Sequence, residues 1–294
     1  FIKRESDNTT IETIDVTGSK VTGNGTPQIT IDLGLNLSPL TKYYLEISPT
    51  AFDDLSGNSF EGISDATSLS FTTHPLTQIG EDINGEASGD YSGESVSLSA
   101  DGSVVAIGAS ANSSYKGHVR IYKLDNNSWT QVGDDIDGEA EGDYSGYSVS
   151  LSGDGTIVAI GAPYNSGESS YYSDGHVRIF QYSAGTWSQL GSDIDDGSGY
   201  SVSLSNDGTI VAIGSPTALN QAGNERSGQV QIYQYTNNNW TQLGQDIHGE
   251  SFGDHFGESV SISSDGSVVA IGAPYSDANG IRSGHVRTYQ YANG

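Results

Sequence analysis

The sequence predicts an all-β protein whose larger part is a β-propeller built from four-stranded blades. One unit of about fifty-five residues occurs four times in the 294-residue chain, as expected for a repeat architecture. Within each unit, apolar residues alternate with polar ones, which is the pattern of β-strands. The chain is rich in turn-forming glycine, with 39 residues, and no segment of helical length has a helical period.

The four repeats follow one another directly. They cover residues 77–129, 130–187, 188–240 and 241–294. The first contains ESVSLSADGSVVAIGAS and later GHVRIYKL, and the second contains YSVSLSGDGTIVAIGAP and later GHVRIFQY. A match of this length between segments of one chain indicates a repeated structural unit.

Each repeat predicts four antiparallel strands. In the first, Val96 and Leu98 alternate with serines, and Asp101-Gly102 predicts a tight hairpin. The apolar run at 104–108 is typical of a strand that is buried on both faces. A third strand follows at 118–122 and a fourth at 129–136. Four such strands in a unit of this size form a propeller blade.

The two ends of the repeat array leave the size of the ring open. Residues 76–83 repeat the fourth strand before the first unit, while the last unit stops where its own fourth strand is due. One interpretation is a larger ring of which these four blades are a part. The other is that four blades close on themselves and so remove exposed strand edges. We favour the larger ring, because the chain begins without an initiator methionine or a signal peptide and so reads as an interior piece of a longer polypeptide.

The repeat resembles the FG-GAP repeat, which is the blade of integrin-like propellers. The resemblance is carried by residues 144–151, Gly161-Ala162-Pro163, 175–180 and Trp187, and Phe256-Gly257 with Gly272-Ala273-Pro274 gives the naming motif in the fourth unit. It covers about three quarters of the chain. The resemblance implies a seven-bladed ring, an extracellular or cell-surface location, and adhesion or ligand binding.

The hairpins depart from the calcium-binding members of that family. Those members place three carboxylates in the turn between the first two strands. Here each turn has one, namely Asp101, Asp154, Asp207 and Asp265. A single carboxylate cannot supply the six to eight oxygen ligands that calcium takes. We therefore expect no cofactor, and calcium stays possible only away from these hairpins.

Residues 1–73 resemble the bacterial immunoglobulin-like module of S-layer and other surface proteins. The resemblance is carried by 36–47, 52–58 and 70–73. It implies a partial β-sandwich whose first strands lie upstream of Phe1. His74-Pro75 is then a short linker, and the propeller begins at residue 76.

Charge and composition exclude several classes of partner. The net charge is −26, from 37 acidic against 11 basic residues. Nucleic acids and anionic membranes are bound through clustered cations, so we expect no nucleic-acid partner. No run is long enough to cross a membrane, so we expect no membrane insertion in this segment. There is no cysteine, and therefore no thiolate site.

Acidic clusters recur in the loops that connect the blades. Asp135, Asp137, Glu139 and Asp143 form one of them and are the candidates for a metal site. A structural role and a pair of catalytic carboxylates are the alternatives. Because the acids recur in each complete copy, whereas a catalytic pair occurs once, we favour the structural role and predict no catalytic residues.

Basic residues are lost together with these acids in the third unit. We therefore predict ion pairs at the blade boundaries, joining Asp90, Asp143 and Asp254 to Arg120, Arg178 and Arg287. Histidines also recur in the third strand, at His118, His176 and His285. Side chains on separate blades do not converge on one ion, so we expect these imidazoles to be hydrogen-bonded within the strands.

Ligand binding is expected in the loops that vary while the strands repeat. The predicted contact residues are Tyr171, Tyr172, Asn220, Arg226 and Arg282. The sequence thus favours a non-catalytic extracellular or cell-surface module that binds a protein or a glycan. A structural spacer of a large surface protein is the alternative, and a propeller lyase or glycosidase is the more distant one.

Overall fold

The computed structural model describes residues 1–23, 29–33, 36–49, 51–53, 59–74, 77–164, 175–195, 198–220, 222–223 and 225–291. The chain forms two compact units, Phe1–Gln78 and Ile79–Gly294. The division therefore falls a few residues after His74-Pro75.

The first unit contains one four-stranded antiparallel sheet and one two-stranded ribbon. Its strands are β1 (Ile2–Arg4), β2 (Thr10–Glu12), β3 (Val21–Thr22), β4 (Thr30–Ile31), β5 (Lys42–Leu45) and β6 (Ser70–Thr72). The sheet order is β2-β1-β5-β6, and β3 pairs with β4. Among the described residues of this unit, Ile2, Tyr43 and Tyr44 have buried hydrophobic side chains. Part of the predicted 52–58 motif, residues 54–58, lies outside the described residues.

The second unit consists of four separate antiparallel sheets, one for each repeat, in which the strands follow sequence order from one edge to the other. The first blade contains β7 (Ser95–Leu98), β8 (Val104–Ala109), β9 (His118–Asp125) and β10 (Ser128–Gln131), with α1 (Asn112–Tyr115) in the loop before β9 and the short β11 (Ile136–Asp137) beside the start of β9. The segment α1 is a single turn in which Ser113, Ser114 and Tyr115 have positive φ. The all-β prediction is confirmed, and so are the four antiparallel strands of the first three blades.

The second and third blades repeat this four-stranded pattern, and the fourth has its first three strands among the described residues. The second contains β12 (Ser148–Leu151), β13 (Ile157–Ala162), β14 (His176–Ser183) and β15 (Thr186–Gln189); the third contains β16 (Ser201–Leu204), β17 (Ile210–Ser215), β18 (Gln229–Thr236), β19 (Asn239–Gln242) and β20 (Ile247–His248); the fourth contains β21 (Ser259–Ile262), β22 (Val268–Ala273) and β23 (His285–Gln290).

The outermost strands are shorter than predicted. The expected strand at 129–136 is divided into β10 and β11, and the residues between them are not extended. Residues 76–83, which repeat the sequence of the fourth strand before the first unit, also form no strand over their described part, 77–83. A strand needs a neighbouring strand to satisfy its backbone hydrogen-bonding groups. In the first blade the equivalent segments, β10 and β11, pair with the third strand of that blade, β9. Among the described residues, no such strand lies beside residues 77–83.

Adjacent blades pack face to face through apolar side chains. Val149 and Leu151 of β12 pack against Val104, Ala106 and Ile121 of the first blade. Hydrogen bonds join the same surfaces, since the Leu151 amide donates to Ser97 Oγ at 2.9 Å. The equivalent amide bonds at the next two boundaries are Leu204 to Ser150 Oγ and Ile262 to Ser203 Oγ.

The outer faces of the first and fourth blades are uncovered. Val96 and Leu98 are 64% and 59% exposed, whereas their counterparts Val149 and Leu151 are 8% and 7% exposed. In the fourth blade Val286 is 70% exposed. The closed four-blade ring, which was one of the two interpretations of the sequence, is therefore wrong for this structure.

Candidate functional site

A buried histidine faces two carboxylates in the first blade. His118 is the first residue of β9 and is only 2% exposed. Its Nδ1 lies 3.7 Å from Asp135 Oδ2 and 3.9 Å from Glu86 Oε2. Glu86 comes from the loop before β7, and Asp135 follows β10. The two carboxylates are partly exposed, so this cluster opens to solvent above the imidazole.

The second blade contains the same arrangement. His176 Nδ1 lies 3.8 Å from Glu139 Oε2 and 3.8 Å from Asp193 Oδ2. We refer to Glu86-His118-Asp135 and Glu139-His176-Asp193 as the two Glu-His-Asp clusters. In each cluster the glutamate and the aspartate lie about fifty positions apart along the chain. The distances to the histidine are nearly the same in the two clusters.

An arginine lies beside each cluster. Residues two apart in a strand point to the same side, so Arg120 is next to His118 and Arg178 is next to His176. Arg120 Nη1 lies 3.8 Å from Glu86 Oε1, and its Nη2 donates to the Asn84 carbonyl at 2.8 Å. In the second blade, Arg178 Nη1 lies 3.9 Å from Glu139 Oε1. One oxygen of each glutamate thus faces the arginine, and the other faces the histidine.

The predicted ion pairs are wrong in their acidic partners. Arg120, Arg178 and Arg287 pair with Glu86, Glu139 and Glu250, respectively. The predicted partners were Asp90, Asp143 and Asp254.

The three aspartates instead accept hydrogen bonds from the backbone of their own loops. Asp143 Oδ2 accepts from the amides of Glu139 and Ala140, at 3.2 and 2.7 Å. Asp90 accepts from the Ala87 amide and Asp254 from the Ser251 amide. All three side chains are buried. A short carboxylate that is buried in a tight loop satisfies that loop's amides, while the longer glutamate reaches the arginine.

The four metal candidates do not form one site. Asp135 belongs to the first Glu-His-Asp cluster and Glu139 to the second. Asp137 has an exposed side chain, and its carbonyl accepts from Arg178 Nη2 at 2.6 Å. Asp143 holds the loop backbone, as described above. The sequence indicated acids of the right kind but did not indicate Glu86, Asp193 or the two histidines as their partners.

The predicted hydrogen bonding of the imidazoles holds only for His285, whose Nδ1 lies 2.9 Å from Ser276 Oγ. His118, His176 and His285 each have a buried Nε2 without a hydrogen-bond partner in the part of the chain that the structure describes. Burial, together with the positive charge of Arg178, lowers the pKa of His176, and the nearby Asp193 and Glu139 carboxylates oppose this shift. A lowered pKa favours the neutral imidazole at pH 7.

The aspartates of the clusters are held by a repeated glutamine. Gln131 Nε2 donates to Asp135 Oδ1 at 2.6 Å, and Gln189 bonds Asp193 in the same way. In the third blade the same bond joins Gln242 to Asp246. This contact explains the recurrent Gln-x-Gly-x-Asp pattern after each tryptophan.

Aromatic side chains form a surface on the loops at the end of the blades where the Glu-His-Asp clusters lie. Tyr144 stacks on Tyr115, with ring centroids 4.8 Å apart, and meets the edge of Tyr164 at 5.0 Å. The fourth blade has a counterpart, in which His255 meets Tyr275 edge-on at 4.8 Å. Tyr115, Tyr164 and Tyr275 are exposed. We refer to Tyr115, Tyr144 and Tyr164 as the tyrosine cluster.

The predicted ligand-contact residues are spread over two blades. Tyr171 and Tyr172 lie outside the described residues. Asn220 lines an open polar cleft of about 520 Å³ together with Gln229, Asp246 and His248. The Arg226 carbonyl accepts from the Gly253 amide at 2.7 Å, which links the loops of the third and fourth blades. The Arg282 guanidinium lies over the Tyr275 ring, 5.5 Å from its centroid.

Comparison with known proteins supports the assignment of the blades. An FG-GAP repeat is found at residues 249–289. A search of curated protein sequences gave no match. Among the described residues, none of the helical segments has the length and apolarity needed to cross a membrane.

Several solved structures are similar to the chain in fold only. A functionally unknown protein from Desulfotomaculum acetoxidans DSM 771 is 16% identical, with a TM-score of 0.41, and the match covers 67% of this chain and 56% of that one. TolB from Acinetobacter baumannii is 16% identical, with a TM-score of 0.43 and coverage of 85% and 46%. A putative 6-phosphogluconolactonase from Bacteroides uniformis ATCC 8492 is 13% identical, with a TM-score of 0.44 and coverage of 92% and 66%. The chain thus spans 46% to 66% of the length of these three proteins.

Proposed function

We propose that the chain is a non-catalytic, extracellular or cell-surface binding module that holds a glycan or a protein on the loop ends of its blades. The observation that carries the proposal is the tyrosine cluster, whose three rings meet on loops while the strands beneath them repeat. Its counterpart around Tyr275 and Arg282 supports the same role for the fourth blade.

Tyrosine is well suited to such a surface. Its ring offers a large apolar face, its hydroxyl can hydrogen-bond, and only two side-chain torsions are ordered on binding. The net charge of −26 disfavours anionic ligands. The ligand class that fits is therefore a neutral glycan or a protein surface with exposed basic residues.

A structural spacer is the second candidate. The regular blades, preceded by a unit that resembles an immunoglobulin-like stalk module over residues 1–73, favour it. In that case the loops would carry no ligand. An enzyme of the lyase or glycosidase type is the more distant alternative, since the acids of the blade loops recur from blade to blade.

The test is a binding screen of the chain against neutral and charged glycans and against intact cells. We expect binding that falls at least tenfold in the double variant Tyr144→Asn, Tyr164→Ser. Asparagine is chosen because Tyr144 has a φ of +57°, which asparagine tolerates. Tyr291→Ala, which removes an exposed tyrosine that follows β23, is the matched control and should bind as the unchanged chain does.

Two outcomes would contradict the proposal. Absence of binding to every glycan and cell type favours the spacer. Binding that the double variant leaves unchanged would show that the ligand site is not the tyrosine cluster.

A further inference from the structure

We propose that the two Glu-His-Asp clusters are binding sites for a divalent first-row transition-metal ion, for which zinc is the representative, with one ion in each cluster. This goes beyond the binding function proposed above and does not depend on it. The sites lie where β9 and β14 begin, away from the hairpin that joins the first two strands of each blade.

The spacing of the ligand atoms fits an ion. In both clusters, Nδ1 lies 3.7 to 3.9 Å from the two facing carboxylate oxygens, which is too long for a hydrogen bond. Two ligands that each lie about 2.0–2.2 Å from a tetrahedral zinc ion are about 3.3–3.6 Å apart. A shift of a few tenths of an ångström would therefore bring Nδ1 and each carboxylate oxygen to this spacing, and the three ligand atoms of each cluster all lie within 4.8 Å of one another.

The histidine provides an observation that is independent of the acids. It is almost fully buried in both blades, and it turns Nδ1 toward the two carboxylates without coming within hydrogen-bond distance of either. Strand β9 or β14 fixes this orientation, so the imidazole is already in place before any ion arrives. The same arrangement occurs in the first and the second blade.

The donor set selects the class of ion. One imidazole nitrogen and two carboxylate oxygens suit zinc or manganese, whereas calcium takes six to eight oxygens. Three protein ligands leave a position for water, and the half-exposed glutamate leaves a path from solvent. The arginine lies 3.8 to 3.9 Å from the other oxygen of the glutamate, so its charge favours the orientation in which the first oxygen faces the histidine.

The third and fourth blades provide natural comparisons within the chain. Gln229 stands at the histidine position of the third blade, and Asp246 there accepts hydrogen bonds from Gln231 and Gln242. In the fourth blade, Glu250 pairs directly with Arg287, and His285 Nδ1 lies 2.9 Å from Ser276 Oγ. We therefore expect two sites over the blades that the structure describes.

The experiment measures zinc binding to the full chain by isothermal titration at pH 7.5, with the bound metal determined after dialysis. The variants are His118→Gln, His176→Gln and the double variant, because glutamine is the residue that the third blade uses at this position. We expect two zinc ions for the unchanged chain, one for each single variant and none for the double variant. Cobalt(II) should give a visible spectrum that is halved and then lost in the same series.

A folding control separates loss of the site from loss of structure. The metal-free variants should keep the circular dichroism of the unchanged chain, and zinc should raise the melting temperature only where a histidine remains. Two zinc ions retained by the double variant, or no binding by the unchanged chain, would overturn the proposal. Calcium binding at these sites without zinc binding would also overturn it.

Discussion

Acidic residues have three different tasks in this protein, and the position of each residue decides which one it performs. The aspartate of each hairpin closes a turn, as Asp101 does by accepting from the Ser103 amide at 2.9 Å and from Ser99 Oγ at 2.8 Å. The buried aspartate of a blade loop, such as Asp143, accepts hydrogen bonds from amides of its own loop. Glu86 and Asp135 instead face a histidine. The large negative charge is therefore distributed over defined local roles.

The hairpin aspartates make stability depend on acidity. Hydrogen bonds from the backbone and from serine lower the pKa of Asp101 and of Asp265 to about 2. In the unfolded chain the value is about 3.9. A lowered folded-state pKa stabilises the protein above the unfolded value, and this contribution is lost as the pH falls from about 4 toward 2.

We predict that the double variant Asp101→Asn, Asp265→Asn melts a few degrees lower at pH 7. We also expect its melting temperature to fall less steeply than that of the unchanged chain between pH 4 and pH 2. Thermal unfolding followed by circular dichroism over this range measures both effects. Asp125→Asn, at an exposed position at the end of β9, is the control and should follow the unchanged chain. Parallel pH curves for the double variant and the unchanged chain would contradict the prediction.

The sequence predicted some of these residue roles and not others. Asp-Gly turns are local, so the task of Asp101 could be derived from its neighbours. The partner of Arg120 could not, because strand alternation shows which side the arginine faces but not which loop carboxylate reaches it. The predicted partner, Asp90, lies four residues after the observed partner, Glu86. The longer side chain of glutamate reaches the arginine, whereas the buried aspartate accepts a hydrogen bond from a loop amide.

At the scale of the blade, the tryptophan at the end of each of the first three repeats donates a hydrogen bond to the segment at the start of the same repeat. Trp187 Nε1 donates to the Val132 carbonyl at 2.8 Å, and Trp240 Nε1 donates to the Leu190 carbonyl at 2.7 Å. The glycine of the Gln-x-Gly-x-Asp pattern lies under the indole. A Cβ on Gly133 or Gly191 would come within 2.8 Å of the ring. Tryptophan and glycine therefore recur together because they are in contact.

Replacement of Trp240 by alanine should destabilise the chain strongly. Trp240 is buried, and removal of a buried tryptophan costs about 3–5 kcal/mol. Trp129→Ala is the matched variant at the same position of the first blade, where the indole is only partly buried, so we expect a smaller loss. Urea unfolding of both variants gives the comparison. Equal losses would show that burial of the indole does not determine its contribution.

The strands were predictable because each contains several alternating residues, whereas the shorter features were not. β11 and β20 have two residues each, which is too few for a period. The turn α1 depends on three consecutive residues with positive φ, and none of them is glycine. Its tyrosine, Tyr115, joins the tyrosine cluster, so part of the candidate binding surface could not be derived from the sequence pattern.

At the scale of the molecule, the blades are held together by contacts that repeat at each boundary. The carbonyl of one blade approaches the middle strand of the blade before it so closely that only glycine fits. A Cβ on Gly161 would lie 1.9 Å from the Gly199 carbonyl oxygen, and one on Gly214 would lie 2.1 Å from that of Gly257. The open ends expose the apolar surfaces that these boundaries bury elsewhere. The angle between successive sheets depends on this packing, so the sequence repeats alone could not decide whether the four blades close.

The close approach of the blades can be tested with two substitutions at equivalent positions. Gly272 occupies in β22 the position that Gly161 occupies in β13, and a Cβ at either would lie 2.4 Å from a serine hydroxyl of its own blade. Only at Gly161 would the added Cβ also meet the carbonyl of a following blade among the described residues. Overpacking of this kind typically costs about 1–3 kcal/mol. A backbone carbonyl cannot move aside as a side chain can, so we expect the cost of Gly161→Ala to reach or exceed the upper end of this range. We therefore expect Gly161→Ala to lower the urea midpoint clearly more than Gly272→Ala does. If the two variants unfold at the same urea concentration, glycine is required at these positions by contacts within each sheet and not by the contact between blades.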